Sequence, residues 1–260
     1  MSILLDKRDA SAETYFDPDP EYPESDGKPM ADNTLQYQWI VTIKEGLENL
    51  LGANPNVFVA GDLLWYPVEK DSQCQAPDVM VVFGRPKGYR GSYQQFKEDG
   101  IAPQVVFEIL SPSNRYSEMV GKFLFYQQHG VEEYYIYNPR RKDDVSFDAY
   151  RRNDDGALTR IPDVTTHTSP RLGIRFDTLG NELIIYQPDD KPFKTVQEVF
   201  AERELQRIRA DAAEAGRREV TAERDAAQAE RDAETARADT ATARAERLAK
   251  LLRDAGIEPD

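Results

Sequence analysis

The chain has 260 residues, 40% of them hydrophobic, with 33 Lys plus Arg against 47 Asp plus Glu and a formal net charge of −14. That length and apolar content suffice for one or two domains with a real core, while the acidity excludes coating of nucleic acid or membrane by bulk charge. No run of about 18 apolar residues is present, so no membrane span is expected. The opening MSILLDKRDA holds too few apolar residues for a signal-peptide core. A single cysteine, Cys74, cannot form an intrachain disulfide, and the expected location is cytoplasmic. Only two histidines, His129 and His167, argue against zinc sites built from several His or Cys ligands.

Residues 1–30 are rich in Asp, Glu and Pro (YFDPDPEYPESDGKP) and read as an irregular acidic arm. A first helix begins at Asp32 or Asn33 as N-cap. It carries Leu35, Trp39, Ile40, Ile43, Leu47, Leu50 and Leu51 at helical spacing and stops at Gly52. Short β-rich runs follow at Val57–Ala60, Leu63–Tyr66, Val79–Phe83 and Val105–Leu110. Between the last two lies a long polar connection, Gly84–Gly100, with Arg85, Lys87, Arg90 and Lys97. A second helix is expected from about Tyr116 to His129, with Gly130 as its stop and Ser111–Asn114 as its cap. Glu133–Tyr137, Val145–Arg151 and Leu183–Tyr186 complete the strands, and Asn138-Pro139 turns the first of them. Helix, several strands, helix and further strands make a mixed α/β core over residues 31–198.

Composition changes sharply near residue 200. Residues 201–260 hold 17 alanines and 27 charged residues, with no proline before Pro259. This tail, assigned to 199–260, carries a net −3, so most of the acidity sits in the body. A seven-residue repeat runs through AERDAAQ, AERDAET, ARADTAT and ARAERLA. One column is Ala201, Ile208, Ala215, Ala222, Ala229, Ala236 and Ala243, and a second begins at Leu205. The tail therefore reads as a long α-helix. Two forms stay open: a coiled-coil homodimer, or a single solvated helix held by i,i+4 charge pairs, since alanine buries little area.

Two acidic residues stand out through their apolar neighbours. Asp78 sits in APDVMVV at the mouth of a Val-rich strand, and Glu108 sits inside VVFEIL. A glutamate within such a strand is costly to bury unless paired or bound to a cation. If the two strands are neighbours, their carboxylates meet at one end of the sheet as hard oxygen ligands of the kind Mg²⁺ takes. Lys122, in the mostly apolar VGKFLFYQQ with Tyr126 at i+4, is the third member. Its ammonium could hold an attacking water and stabilise charge on a phosphoryl group, or simply cap the sheet edge.

These segments, APDVMVV, PQVVFEILSPSNR, K-x-x-x-Y and GVEEYYIYNP, resemble in order and spacing the Uma-two family of restriction-endonuclease-like proteins, which is similar to the PD-(D/E)XK nuclease superfamily. The resemblance covers roughly residues 30–190. It implies a restriction-endonuclease-like α/β core, with Asp78 and Glu108 as motif acids and Ile109 lending its main-chain carbonyl to the metal. Leu110 stands where the superfamily has lysine, and the resemblance moves that lysine to Lys122 on the next helix. The acidic element common near the family's N-terminus is missing, and Gln36 replaces its usual histidine. Glu45 and Glu48 remain as candidates for a third acid without a motif match.

The function so implied is a Mg²⁺-dependent endonuclease, with Mn²⁺ as a possible substitute, that hydrolyses DNA phosphodiester bonds. Arg115, Arg140, Arg141, Arg151 and Arg152, with the four basic residues of the polar connection, could offset the acidic body around a cleft. The alternative is a nuclease-fold scaffold that assembles through its C-terminal coiled coil. Convergence of Asp78, Glu108 and Lys122 separates the two, because a scaffold has no reason to bury three ionisable groups together.

Overall fold

The structure, a computed structural model, describes residues 21–140 and 145–254. Its first helix, α1 (Thr34–Leu50), is capped by Asn33, whose side chain accepts the backbone N–H groups of Leu35 and Gln36. Ile40, Ile43 and Leu47 form its buried stripe, whereas Leu35, expected on that stripe, is exposed. Burying each of the three contributes about 1.5–3 kcal/mol. At Gly46 the helix runs so close to the Phe193 ring that a Cβ there would clash with the ring carbons.

The strands are β1 (Val57–Gly61), β2 (Trp65–Tyr66), β3 (Val79–Phe83), β4 (Tyr93–Gln94), β5 (Val105–Ile109), β6 (Glu133–Asn138), β7 (Ser146–Arg152), β8 (Leu158–Arg160), β9 (Arg175–Asp177) and β10 (Ile184–Tyr186). Helix α2 (Tyr116–Gln128) lies between β5 and β6. Six strands form the main sheet in the order β1-β3-β5-β6-β7-β8, with β5 and β6 parallel and the other neighbours antiparallel. The β5–α2–β6 crossover is the unit that parallel pairing requires. Small two-stranded sheets, β9 with β10 and β2 with β4, flank it.

Alternation along the strands divides the core. Val57, Val59, Val79, Val81, Val105, Phe107 and Tyr135 pack with α1 and with the β9–β10 pair. Phe58, Ala60, Met80, Val82, Val106 and Tyr134 point the other way and pack with Phe125 and Tyr126 of α2 and with Trp65 and Tyr93. Helix α2 is closed beyond its C-cap His129 by Gly130, whose φ of +98° lets Val131 N–H reach back to the Tyr126 carbonyl.

The sequence expectations for α1, α2 and the apolar strands correspond to observed elements. Several details differ. Leu63 and Leu64 stay outside β2, and the polar connection 84–100 contains β4 and a short 3₁₀ turn. Strands β8 and β9 have only three residues each, too few for an alternating pattern to show. Ser111–Asn114 do not cap α2: the N-cap is Arg115, with no side-chain hydrogen bond to the helix. Asn114 Oδ1 instead accepts Ser111 N–H, and both Ser111 and Ser113 hydroxyls donate to Asp32. The acidic arm is irregular where it is described, yet Tyr22 is buried against Leu64, Tyr66 and Phe96. Its hydroxyl accepts Lys70 N–H at 2.7 Å.

The chain divides into two compact units between Gln197 and Glu198. The second is almost wholly helix α3 (Val196–Asp254), 59 residues with none buried, about 88 Å long at helical rise. Ion pairs such as Arg218 with Glu214 and Arg207 with Asp211 line it at i,i+4 spacing. Leu205, Ile208, Val220, Leu248 and Leu251 along it are exposed. Among the described residues, no helix is long and apolar enough to cross a membrane.

Candidate active site

Register brings the acids together. Gly61 pairs with Val79, and Val79 pairs with Phe107, across β1, β3 and β5. Continuing that register by one residue sets Asp62, Asp78 and Glu108 in a row over three adjacent strands. Their parity is that of Ala60, Met80 and Val106, which face α2. Asp78 and Glu108 are both buried, at 8% and 2% exposure.

Each of the four sequence candidates meets another. Asp78 Oδ2 accepts the Ile109 N–H at 2.6 Å. Lys122 reaches down from α2 to place Nζ 2.7 Å from Glu108 Oε2. One turn further on, the Tyr126 hydroxyl donates to Glu108 Oε1 at 2.5 Å. Tyr126 is fully buried and stacked on Trp65, so this donor is rigid. The Ile109 carbonyl accepts from Gln36 Nε2 at 2.9 Å, while Gln36 Oε1 accepts Asp32 N–H. Gln36 thus fixes the peptide whose carbonyl the family resemblance implies as a ligand.

Burial, reinforced by the Glu108 charge, holds the Asp78 carboxyl well above the usual carboxylate range. For Lys122, burial works against the ammonium, but the Glu108 and Asp78 carboxylates outweigh it and raise its pKa. The lysine therefore stays charged at neutral pH. Burial also raises the Asp62 carboxyl, with repulsion from Asp26 and Glu108 adding to it and Lys122 opposing.

A cleft of about 260 Å³ opens over these groups, lined among others by Asp26, Lys28, Asp32, Gln36, Asp62, Asp78, Glu118 and Lys122. Five carboxylates against two lysines make it a place for a cation rather than for a bare phosphate. Of the sequence candidates, Asp78 and Lys122 line the cleft, while Glu108 lies behind them, held by Lys122 and Tyr126; a hard divalent ion there would take the Asp78 carboxylate and draw Glu108 only if Lys122 gave it up. Among the described residues, no three His, Cys, Asp or Glu side chains stand close enough to hold a metal between them. A cation here would rest on few carboxylates and complete its shell with water, as Mg²⁺ commonly does.

Other candidates lie elsewhere. Glu48 pairs with Lys87 at 2.6 Å and Glu45 with Lys44 at 3.0 Å, and neither lines the cleft. Arg85 and Arg90 both hold Glu98, and Arg152 is spent on the carbonyls of Val131, Gln127 and Gly156. Lys97 rests over the Tyr22 and Phe96 rings. Arg115, Arg140 and Arg151 are exposed, and Arg141 lies outside the described residues. The sequence reading missed Asp62, Gln36 as a site residue, and the contribution of the arm to the cleft wall. For Asp62 the only local signal was an acid directly after an apolar run.

A family model, Uma2, described as "Putative restriction endonuclease", matches residues 28–178. None of the curated proteins matches the chain. Among solved structures, the chain is similar to that of a putative nuclease belonging to DUF820 from Anabaena variabilis ATCC 29413. The two share 14% identity over 56% of this chain and 77% of that one, with a TM-score of 0.40.

Proposed function

The chain belongs to the Uma2 family of putative restriction endonucleases, and on that premise we propose that it is a metal-dependent endonuclease hydrolysing DNA phosphodiester bonds. The observation that carries the reading is the buried Asp78–Glu108–Lys122 group, with Lys122 Nζ 2.7 Å from Glu108, opening on an acidic cleft. Burying a second carboxyl, Asp78, beside the Glu108–Lys122 pair raises its pKa and is a poor arrangement for stability alone. A divalent cation, Mg²⁺ or Mn²⁺, would supply Lewis-acid stabilisation of the charge that builds on the phosphoryl oxygens. Asp78 and Glu108 would hold it, with the Ile109 carbonyl as a third oxygen.

Lys122, being charged, does not take a proton from water. It donates: its ammonium orients the attacking water or a non-bridging phosphate oxygen and stabilises the transition state electrostatically. Tyr126 fixes Glu108 through its hydroxyl, and Gln36 fixes the Ile109 peptide through its carbonyl. The reaction yields a free 5′-phosphate end, as the superfamily resemblance implies. The long tail would pair two copies as a homodimer, an arrangement suited to cutting both strands.

The test is cleavage of supercoiled and linear DNA with Mg²⁺ or Mn²⁺ by the wild type and by folded Asp78→Ala and Lys122→Ala proteins. The expected result is cleavage that vanishes with EDTA and falls at least about 100-fold in both variants. Cleavage that survives in Lys122→Ala would remove the lysine from its role. No cleavage, together with no binding of either ion, would favour the scaffold reading.

A further inference from the structure

We propose that Asp62 is the third acid of this site, a positioning carboxylate that holds the water shell of the divalent cation at Asp78. The inference rests on the metal-dependent reading above and deepens it. Neither acid weighed from the sequence for this place, Glu45 or Glu48, lines the cleft, and both carry lysine partners of their own.

Three observations converge on Asp62. The first is register: Gly61 faces Val79 and Val79 faces Phe107, so the next residue on each strand completes a row of Asp62, Asp78 and Glu108. The Asp62 N–H bonds the carbonyls of both Pro77 and Asp78, at 3.1 and 3.3 Å, which fastens its backbone to the strand mouth carrying Asp78. The second is backbone conformation. Asp62 has φ +48°, in the left-handed region, just where β1 ends. Aspartate tolerates that region better than most residues, but it is still a sparsely populated conformation of the kind that gathers at functional sites. The third is placement: Asp62 lines the cleft together with Asp78 and Lys122, half-buried.

Chemistry selects the role. No three acidic side chains among the described residues stand close enough to ligate one ion jointly, so Asp62 acts one shell further out. A cation bound by few carboxylates keeps several waters. A carboxylate beside it, at the edge of the row, accepts hydrogen bonds from those waters and fixes their orientation. Partners of this outer kind are worth about 10–100-fold in metal affinity when lost. The same acid is a burden to the metal-free protein, because it adds a further carboxyl to a partly desolvated row that already holds the Glu108 charge.

The experiment measures Mn²⁺ and Mg²⁺ binding by calorimetry, and melting with and without ion, for the full-length wild type, Asp62→Asn and Asp78→Asn. Asparagine keeps the size of Asp62 and accepts the left-handed conformation. The expected result for Asp62→Asn is a metal-free melting temperature raised by about 2–4 °C with ion affinity weakened about 10-fold or more. Asp78→Asn should lose binding outright. An Asp62→Asn protein that binds ions like the wild type, while Asp78→Asn does not, overturns the role of Asp62 and leaves the metal site standing. A lowered metal-free melting temperature also overturns it, since a structural acid would give that result. A wild type that binds neither ion overturns the metal-dependent reading and this inference together.

Discussion

Two glutamates on neighbouring strands, Glu108 and Glu133, are equally buried at 2% exposure, yet they are held in opposite ways. Glu133 opens β6 beside Val105, at the far end of β5 from Ile109, and shares the parity of Tyr135 and Tyr137 on the α1 side. Its oxygens accept from the Tyr135 hydroxyl at 2.8 Å, the Ser169 hydroxyl and the Arg171 N–H at 2.8 Å. Every donor there is uncharged and built into the scaffold. Glu108 has one such donor, Tyr126; its other partner is the Lys122 ammonium, at the wall of a cleft shared with Asp78 and Asp62. Saturation by fixed neutral donors makes a brace, whereas an ion pair with the Lys122 ammonium beside Asp78 makes a group whose charges are coupled.

That contrast breaks most readily at Glu133. Glu133→Ala strands two buried hydroxyl donors and a part-buried N–H, each buried one costing about 1–3 kcal/mol when unsatisfied. A loss on the order of 3–5 kcal/mol in urea unfolding is expected, the largest effect of the set. Wild-type stability in this variant would end the description of Glu133 as a brace. Glu108→Gln should separate the two properties the other way. Its amide oxygen still accepts from Tyr126 and Asp78 remains to offset Lys122, so about 1–2 kcal/mol of stability is lost. If the proposed activity holds, cleavage in the presence of Mg²⁺ should in contrast fall at least about 100-fold. A variant that cleaves normally but unfolds easily would put Glu108 in the same class as Glu133.

The smallest effect is in pH dependence. Burial and the Glu108 charge raise the Asp78 carboxyl, so the folded chain keeps a proton there that the unfolded chain gives up. The stability this contributes is fully present below the unfolded pKa and is lost as pH rises through the raised folded value. Asparagine does not titrate. The stability of Asp78→Asn relative to wild type should therefore grow as pH is raised from about 4. Parallel urea titrations of the metal-free proteins check this, and a difference that stays flat or shrinks with pH contradicts the cause assigned to the shift.

Asp78, Glu108 and Lys122 were readable in the sequence because each is a charged residue in an apolar neighbourhood, and that anomaly is local. The order of helices and strands was readable for the same reason: Ile40, Ile43 and Leu47 repeat at helical spacing, and VVFEI and VMVVF are short runs of strand formers. Glu133 in GVEEYY carried no such mark, since Glu132 beside it looks the same; only the fold sets the Ser169 hydroxyl and the Arg171 backbone N–H on Glu133 and pairs Glu132 with the part-exposed Arg171 guanidinium. Gln36 looked like a lost histidine until α1 packed against the end of β5 and set its amide on the Ile109 carbonyl.

The sequence by itself determined the α/β class, the long helical tail and which three ionisable groups would need company. The tertiary structure alone decided what that company is. The order β1-β3-β5-β6 and its register put Asp62 in line with Asp78 and Glu108, Tyr126 beneath Glu108, and Arg85 and Arg90 on Glu98 instead of a substrate. The physical reason is that burial preference is a property of each residue and its immediate neighbours, whereas strand register and face are fixed by packing between segments far apart in the chain.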